Sequence, residues 1–301
     1  MNNKIRFLHN SDIDIQRWDS VVEGAVNARV YAMSWYLDIL FPDWYGIIYE
    51  DYQYVMPVVF SRKWGIQYAF QPVFAQQHGI FPVSPPHITS QFFSFLQDRF
   101  RYFNISVNSM NLLPEGNFTI EKRKNYILSL KKGYGVIHEN YSSHTARYVR
   151  KANSIADISE HITLEDFLRL KTINSQRTPS KKNMVKLKQI IAHALNENSG
   201  KIYGAYSKHN ELYAAAFFLK YKNRFIYLSS VSTPEGKQQR SMFAIVDKFI
   251  NEHAGSSFLL DFEGSNIDGI ARFFDGFGAQ PELYQHAVFN NLPWFVKLIK
   301  H

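Results

Sequence analysis

The stretch from Lys201 to Phe289 constrains the fold most. Three apolar runs, Lys201–Tyr206, Leu212–Tyr221 and Arg224–Val231, follow one another across short polar turns and read as an antiparallel meander. The last two are joined at Lys222–Asn223, where the Asn suits a positive φ. After Val231 a loop, Ser232–Thr233–Pro234–Glu235–Gly236–Lys237, feeds a helix expected over Gln238–Ala254 and ended by Gly255. A short strand at Phe258–Phe262, a helix at Asn266–Phe274 and a strand at Glu282–Phe289 complete the run. Strands and helices thus mix along the chain, which places it in the α/β (α+β) class.

The first half has a fainter version of the same rhythm. A strand is expected at Ile5–Leu8, helices at Asp12–Ala25 and Tyr31–Leu40, and a strand pair at Trp44–Glu50 and Tyr54–Phe60. An aromatic, proline-bearing stretch, Ile66–Pro86, reads as irregular with short strands. A helix with Thr89 as its N-cap then runs to Tyr102, and strands follow at Phe103–Val107 and Asn117–Leu130. Thr163, with Asp166 three residues on, marks the start of a helix in the second half. No repeat is visible residue by residue. With 301 residues, two domains are expected, 1–140 and 141–301, parting in the polar helical region between 131 and 160.

Composition removes whole classes of chemistry. The chain has no cysteine, so disulfide frameworks, thiolate nucleophiles and Cys-ligated metal centres are excluded. The 11 histidines are scattered without metal-ligand spacing, and no metal is expected. P-loop, Rossmann and nucleophile-elbow motifs do not occur. No run of about 18 apolar residues exists to span a membrane, and the first residues lack a signal-peptide core, so a cytoplasmic location is expected. The net charge of +8 asks for an anionic partner. Part of the excess is local. Lys122, Arg123, Lys124, Lys131 and Lys132 precede Arg147, Arg150 and Lys151, and a second group runs from Arg177 to Lys188.

The loop after Val231 is a candidate anion site. Free N–H groups at a helix start and the positive end of its dipole face any ligand there, and Lys237 and Arg240 add charge. Asp261 and Glu263, two apart in an expected strand, would share one face, where paired carboxylates raise one another's proton affinity. Either is a candidate general base, and Tyr284 is a candidate proton donor to a leaving group. Arg147 and Lys151 share a helix face with Arg150 beside them, and are candidates for holding a phosphorylated acceptor or RNA.

The wording Asp261-Phe262-Glu263-Gly264-Ser265, then Phe273-Phe274-Asp275-Gly276-Phe277-Gly278-Ala279 and Tyr284, resembles the end of the GNAT acyltransferase fold, in particular the Fem-type peptidyltransferases. The resemblance implies two GNAT-like units in tandem, each a mixed, mostly antiparallel sheet flanked by helices. It implies a strand splayed from its neighbour, with a helix start taking the pyrophosphate of coenzyme A. Mapped onto this chain, the donor contacts are Ser230, Val231, Gly236, Lys237, Gln239, Arg240, Ser241, Met242, Asn266 and Phe274. The amides near Ser230 and Val231 would polarise the acyl carbonyl. Four features depart from the pattern: Met242 stands where a small Gly is usual, Phe274 where many such enzymes carry a proton-donating Tyr, Asn266 is one residue further from the aromatic than usual, and the long coiled-coil insertion of some Fem proteins is missing. The activity implied is N-acyl transfer from acyl-CoA (acetyl-CoA) to the amine of a small molecule or peptide. The alternatives are aminoacyl transfer from tRNA, or a non-catalytic GNAT-like binding module.

Overall fold

The structure, a computed structural model, describes residues 4–175, 180–264 and 267–293. The chain does not part at 140/141. One compact unit comprises the residues up to Arg123 together with those from Leu283 onward, and the other runs from Lys124 to Glu282. In chain order the first group of elements is β1 (Ile5–His9), α1 (Ile15–Gly24), α2 (Ser34–Leu40), β2 (Tyr45–Tyr49), β3 (Tyr54–Val58), β4 (Phe60–Lys63), β5 (Ile66–Phe70), α3 (Pro86–Arg99) and β6 (Tyr102–Ser106). There follow β7 (Thr119–Ser129), α4 (Tyr134–Glu139), α5 (Ser143–Asn153), β8 (Ala156–Ser159), α6 (Leu164–Asn174), α7 (Lys181–Asn196), β9 (Gly200–Ser207), β10 (Leu212–Tyr221) and β11 (Arg224–Ser232). Last come α8 (Pro234–Gln238), α9 (Ser241–His253), β12 (Leu259–Asp261), α10 (Asp268–Asp275) and β13 (Gln280–Asn290).

The first unit holds an antiparallel sheet, β1-β2-β3, and a mixed one, β4-β5-β6-β13. The second unit is built on the order β7-β12-β11-β10-β9-β8. Both repeat one plan. A hairpin (β4-β5 or β10-β11) leads through helix to a strand lying parallel to its second member: β6 beside β5, β12 beside β11. An antiparallel strand then covers that parallel strand, and it comes from the other half of the sequence. β13 pairs with β6, Phe289 opposite Phe103, and β7 pairs with β12, Leu128 opposite Leu260. This exchange moves the boundary: residues from Leu283 onward bury Ala287 and Phe289 in the first unit's core. Each unit is therefore a mixed, mostly antiparallel sheet flanked by helices, as the GNAT-like reading requires.

Local chemistry explains where element ends differ from expectation. α3 starts at Pro86, whose fixed φ and missing N–H suit a first helical position, and Thr89 lies buried within it. Lys222 takes the positive φ of its hairpin (51°) in place of Asn223. Tyr54–Phe60 is broken at Val59, and β3 and β4 enter different sheets. Thr163 does cap α6, its Oγ1 accepting from the Asp166 N–H at 3.0 Å. The second unit's core gathers Tyr203, Phe218, Phe249, Phe262, Phe274 and Phe277 between the sheet and α9 and α10. Phe218 stacks on Phe249 at 3.8 Å between centroids.

Candidate functional site

β11 pairs with β10 along its length but with β12 only over Arg224–Ile226. A bulge leaves Leu228 opposite no residue, since Phe217 pairs with Ser229 and Phe218 with Tyr227. Pairing stops at Ile226, where β12 ends at Asp261, and on that side Tyr227–Ser232 meet no strand among the described residues; this unpaired edge is the opening. Ser230 and Val231, the expected carbonyl-polarising pair, lie on this edge. The closed end of the opening is clasped by charge. The Arg224 Nη1 meets Asp261 Oδ2 at 2.8 Å and its Nη2 meets Glu282 Oε1 at 3.1 Å. Burial works against the Arg224 charge, but the two carboxylates hold its pKa above the ordinary value.

The far end is formed by the turn into α9. One residue, Thr233, separates β11 from α8, and its Oγ1 accepts the Gly236 N–H at 2.9 Å. Gly236 is buried, and a Cβ there would overlap the carbonyl oxygen of Tyr213. Close packing of α8 on β10, rather than a phosphate cradle, thus explains this glycine. The expected single helix over 238–254 is broken, because Arg240 sits at φ 63° between α8 and α9. No side chain caps α9, and its first residue, Ser241, is fully buried with no hydrogen-bond partner for its Oγ among the described residues. Gln239 and Met242 are half-buried and Lys237 is exposed. Phe243, next along, packs edge-on against Tyr148 at 5.2 Å.

The two basic regions that the sequence leaves apart come together here. α5 packs against α9, fixed by buried Asp247, whose carboxylate accepts from Tyr134 (2.9 Å), Tyr141 (3.2 Å) and Asn153 (3.4 Å). The Arg240 guanidinium lies 4.5 Å from the Tyr148 ring centre, and that of Arg147 lies 5.3 Å from the same ring. Lys151 reaches the Gln238 carbonyl at 3.5 Å. Arg147, Arg150, Lys151, Lys237 and Arg240 are all exposed, and among the described residues no carboxylate pairs with any of them. Like charges gathered without counter-ions at an uncapped helix start favour a bound anion.

The expected catalytic residues are placed less simply. β12 ends at Asp261, and Glu263 lies beyond it at φ 57°, so the two carboxylates do not share a strand face. The Glu263 N–H instead donates to Asp261 Oδ1 at 2.9 Å. Asp261 is buried and committed to Arg224, which makes it part of the clasp. Phe274 is buried, stacked on Phe262 at 4.8 Å and edge-on to Tyr227 at 6.1 Å. Tyr284 is buried on β13, in the first unit. Asn266 lies outside the described residues.

Sequence reasoning misses Lys171 and the clasp. Lys171 sits on α6 four residues after buried Phe167, and its Nζ donates to the Ser230 carbonyl at 3.0 Å. Burial alone lowers its pKa to about 8. A cation at i+4 from a core Phe is the one sequence signal for it. For Arg224 the signal is weaker still, a charge opening an otherwise apolar strand.

No family model matches the sequence, and no curated relative matches it. Solved structures do resemble it. FemX gives a TM-score of 0.69 at 12% identity, covering 98% of this chain and 100% of that one. An acetyltransferase from the GNAT family of Colwellia psychrerythraea gives 0.56 at 13%, covering 95% and 100%. L-PGS from Bacillus licheniformis gives 0.54 at 10%, covering 95% and 94%. At such low identity these likenesses speak for architecture alone, and on that ground the chain carries the GNAT-like fold in its Fem-type form.

Proposed function

We propose that this chain is an N-acyltransferase that moves an acyl group from acyl-CoA to a primary amine, with the donor seated at the opening along β11. The unpaired edge of β11 beyond Ile226, ending at the uncapped, basic start of α9, carries the reading. The residues fit such a donor. Arg240, Arg147 and Lys237 supply charge for a pyrophosphate, and buried Ser241 keeps an unused hydroxyl beside the free N–H groups of α9. Met242 limits how near a phosphate comes to the backbone, so side chains carry more of the binding here. The edge peptides at Ser230 and Val231 would orient and polarise the acyl carbonyl. Glu263 stays as a proposed proton carrier, and Asp261 acts through the clasp with Arg224, whereas Tyr284 belongs to the first unit. Since the chain lacks cysteine, transfer goes directly from donor to amine without a protein thioester. Isothermal titration with acetyl-CoA and longer acyl-CoAs tests this. Saturable binding with one site per chain is expected, and absence of binding to every one of them by folded protein overturns it.

One observation favours a second donor, aminoacyl-tRNA. The cations of α5 and the α9 turn form one exposed, unneutralised group, as an extended polyanion requires. That reading predicts tRNA binding that weakens steeply with salt and falls when Arg147, Arg150 and Lys151 are replaced by Gln. Unchanged affinity in that triple variant contradicts it. A binding module without turnover, suggested by Phe274 and Met242, would bind donor yet release no thiol in the presence of any amine.

A further inference from the structure

The only positive group set against the open edge of β11 from the side of α6 is Lys171, among the described residues that meet it by hydrogen bond. Its Nζ is anchored to the Ser230 carbonyl at 3.0 Å, within the segment of β11 beyond its pairing with β12. Structural lysines at such depth usually meet a carboxylate, and among the described residues this one meets only a backbone carbonyl. α6 packs against β11, β10 and α7. The ionisable groups those elements carry are Arg224 and Tyr227 on β11, Tyr213, Lys220 and Tyr221 on β10, and Lys181, Lys182, Lys186, Lys188 and His193 on α7; with Glu165, Asp166 and Arg169 on α6 itself, none contributes to the displacement of its titration, which burial alone causes.

We propose that Lys171 is the general base of the transfer, its neutral Nζ held by the Ser230 carbonyl so that the nitrogen lone pair takes the proton of the attacking amine. This rests on the acyl-transfer reading above. In the step, the neutral acceptor nitrogen forms a bond to the acyl carbon. The carbon–sulfur bond breaks, and the thiolate leaves with the electron pair. The proton shed by nitrogen goes to Lys171 Nζ, which returns it to solvent or to the thiolate. The Ser230 carbonyl gives the amine one fixed hydrogen bond in either protonation state, so the nitrogen keeps its place through the cycle. A lysine that is half neutral near pH 8 is matched to this task, whereas an ordinary one, titrating near 10.5, is not.

The test has two arms. NMR titration of the lysine Nζ resonances, with Lys171→Gln assigning the signal, is expected to give a midpoint near 8; a midpoint of 10 or more overturns the proposal whatever the donor. Turnover with acetyl-CoA and a panel of primary amines is read by thiol release, which the cysteine-free chain leaves without background. Lys171→Gln is expected to lower kcat about 100-fold, to change KM for acetyl-CoA less than twofold, and to abolish the rise of rate between pH 7 and 9. Lys171→Arg, which keeps the hydrogen bond but cannot become neutral, is expected to be as slow. Wild-type protein that neither binds nor turns over acetyl-CoA overturns the acyl-CoA reading and this role with it. Turnover that survives Lys171→Gln with its pH dependence intact overturns the role alone, as does mass-spectrometric detection of Lys171 as the group that ends up acylated.

Discussion

The two units share the plan of hairpin, helix and parallel strand, and an instructive difference lies in the gap between the second hairpin strand and the helix that follows. In the second unit β11 passes through Thr233 straight into α8, and among the described residues no strand pairs with the edge of β11 that faces away from β10 beyond Ile226. In the first unit residues 71–85 separate β5 from α3, and that segment fills the equivalent gap. Gln71 accepts the Ser106 N–H at 3.0 Å and donates to the Ala75 carbonyl at 2.8 Å. The His78 N–H reaches the Ser106 carbonyl at 2.9 Å, and Asn108 and Asn111 bind the backbone at His78 and Ile80. The helix that follows begins with two prolines and has no Lys or Arg in its first turn. One topology thus gives a closed, self-satisfied sheet in one unit and an open, basic one in the other. What separates them is whether the chain keeps its peptide groups for itself.

Three experiments sharpen this contrast. The largest effect is expected at the clasp. Arg224→Met leaves Asp261 and Glu282 without their cation in a site where both are largely buried, and should cost about 3–5 kcal/mol of stability by denaturant unfolding. A loss below about 1 kcal/mol would mean the closed end of the opening does not depend on charge. Acid should act most strongly on the first unit, although burial also lowers the pKa of His253 in the second. Burial lowers the pKa of His78 to about 4 and is the main cause of the same shift for His286, with Arg123 adding to it. Unfolded histidines bind protons near 6.5, so between pH 6.5 and 4 the unfolded chain takes up protons that the folded unit refuses. Stability therefore falls as pH drops through that window, by about 3 kcal/mol for His78, and is unaffected above it. Trp18, Trp35, Trp44 and Trp64 all lie in the first unit, and the second unit contains no Trp, so fluorescence reports the first. The fluorescence transition should precede the loss of far-UV ellipticity, and coincident transitions would contradict the assignment. The smallest effect is at the α9 turn. Arg240→Ala should weaken acetyl-CoA binding roughly tenfold, the worth of one charge-assisted hydrogen bond, and leave the thermal midpoint unchanged.

Much of the open unit is legible in the sequence. The meander, the helix after Gly236 and the strand at Leu259–Asp261 follow from apolar period and turn residues, and Lys237 and Arg240 mark the basic end. What pattern cannot reveal is pairing between distant segments. Nothing in Glu282–Phe289 says that it joins β6, so the boundary falls elsewhere than expected. Asp261 reads as a base because its partner, Arg224, lies 37 residues away. The αL turn at Arg240 is equally hidden, since an arginine carries no preference for positive φ. Arg147 and Arg240 read as two sites because only the Asp247 network, built from residues more than 90 apart, brings their helices together.

Hydrogen–deuterium exchange with and without acetyl-CoA tests the central claim most directly, since it reads both units at once. Protection confined to the second unit, over residues 228–244, with residues 66–90 unchanged, is the predicted result. Protection in residues 66–90 instead, or none in either segment at saturating ligand, would contradict it.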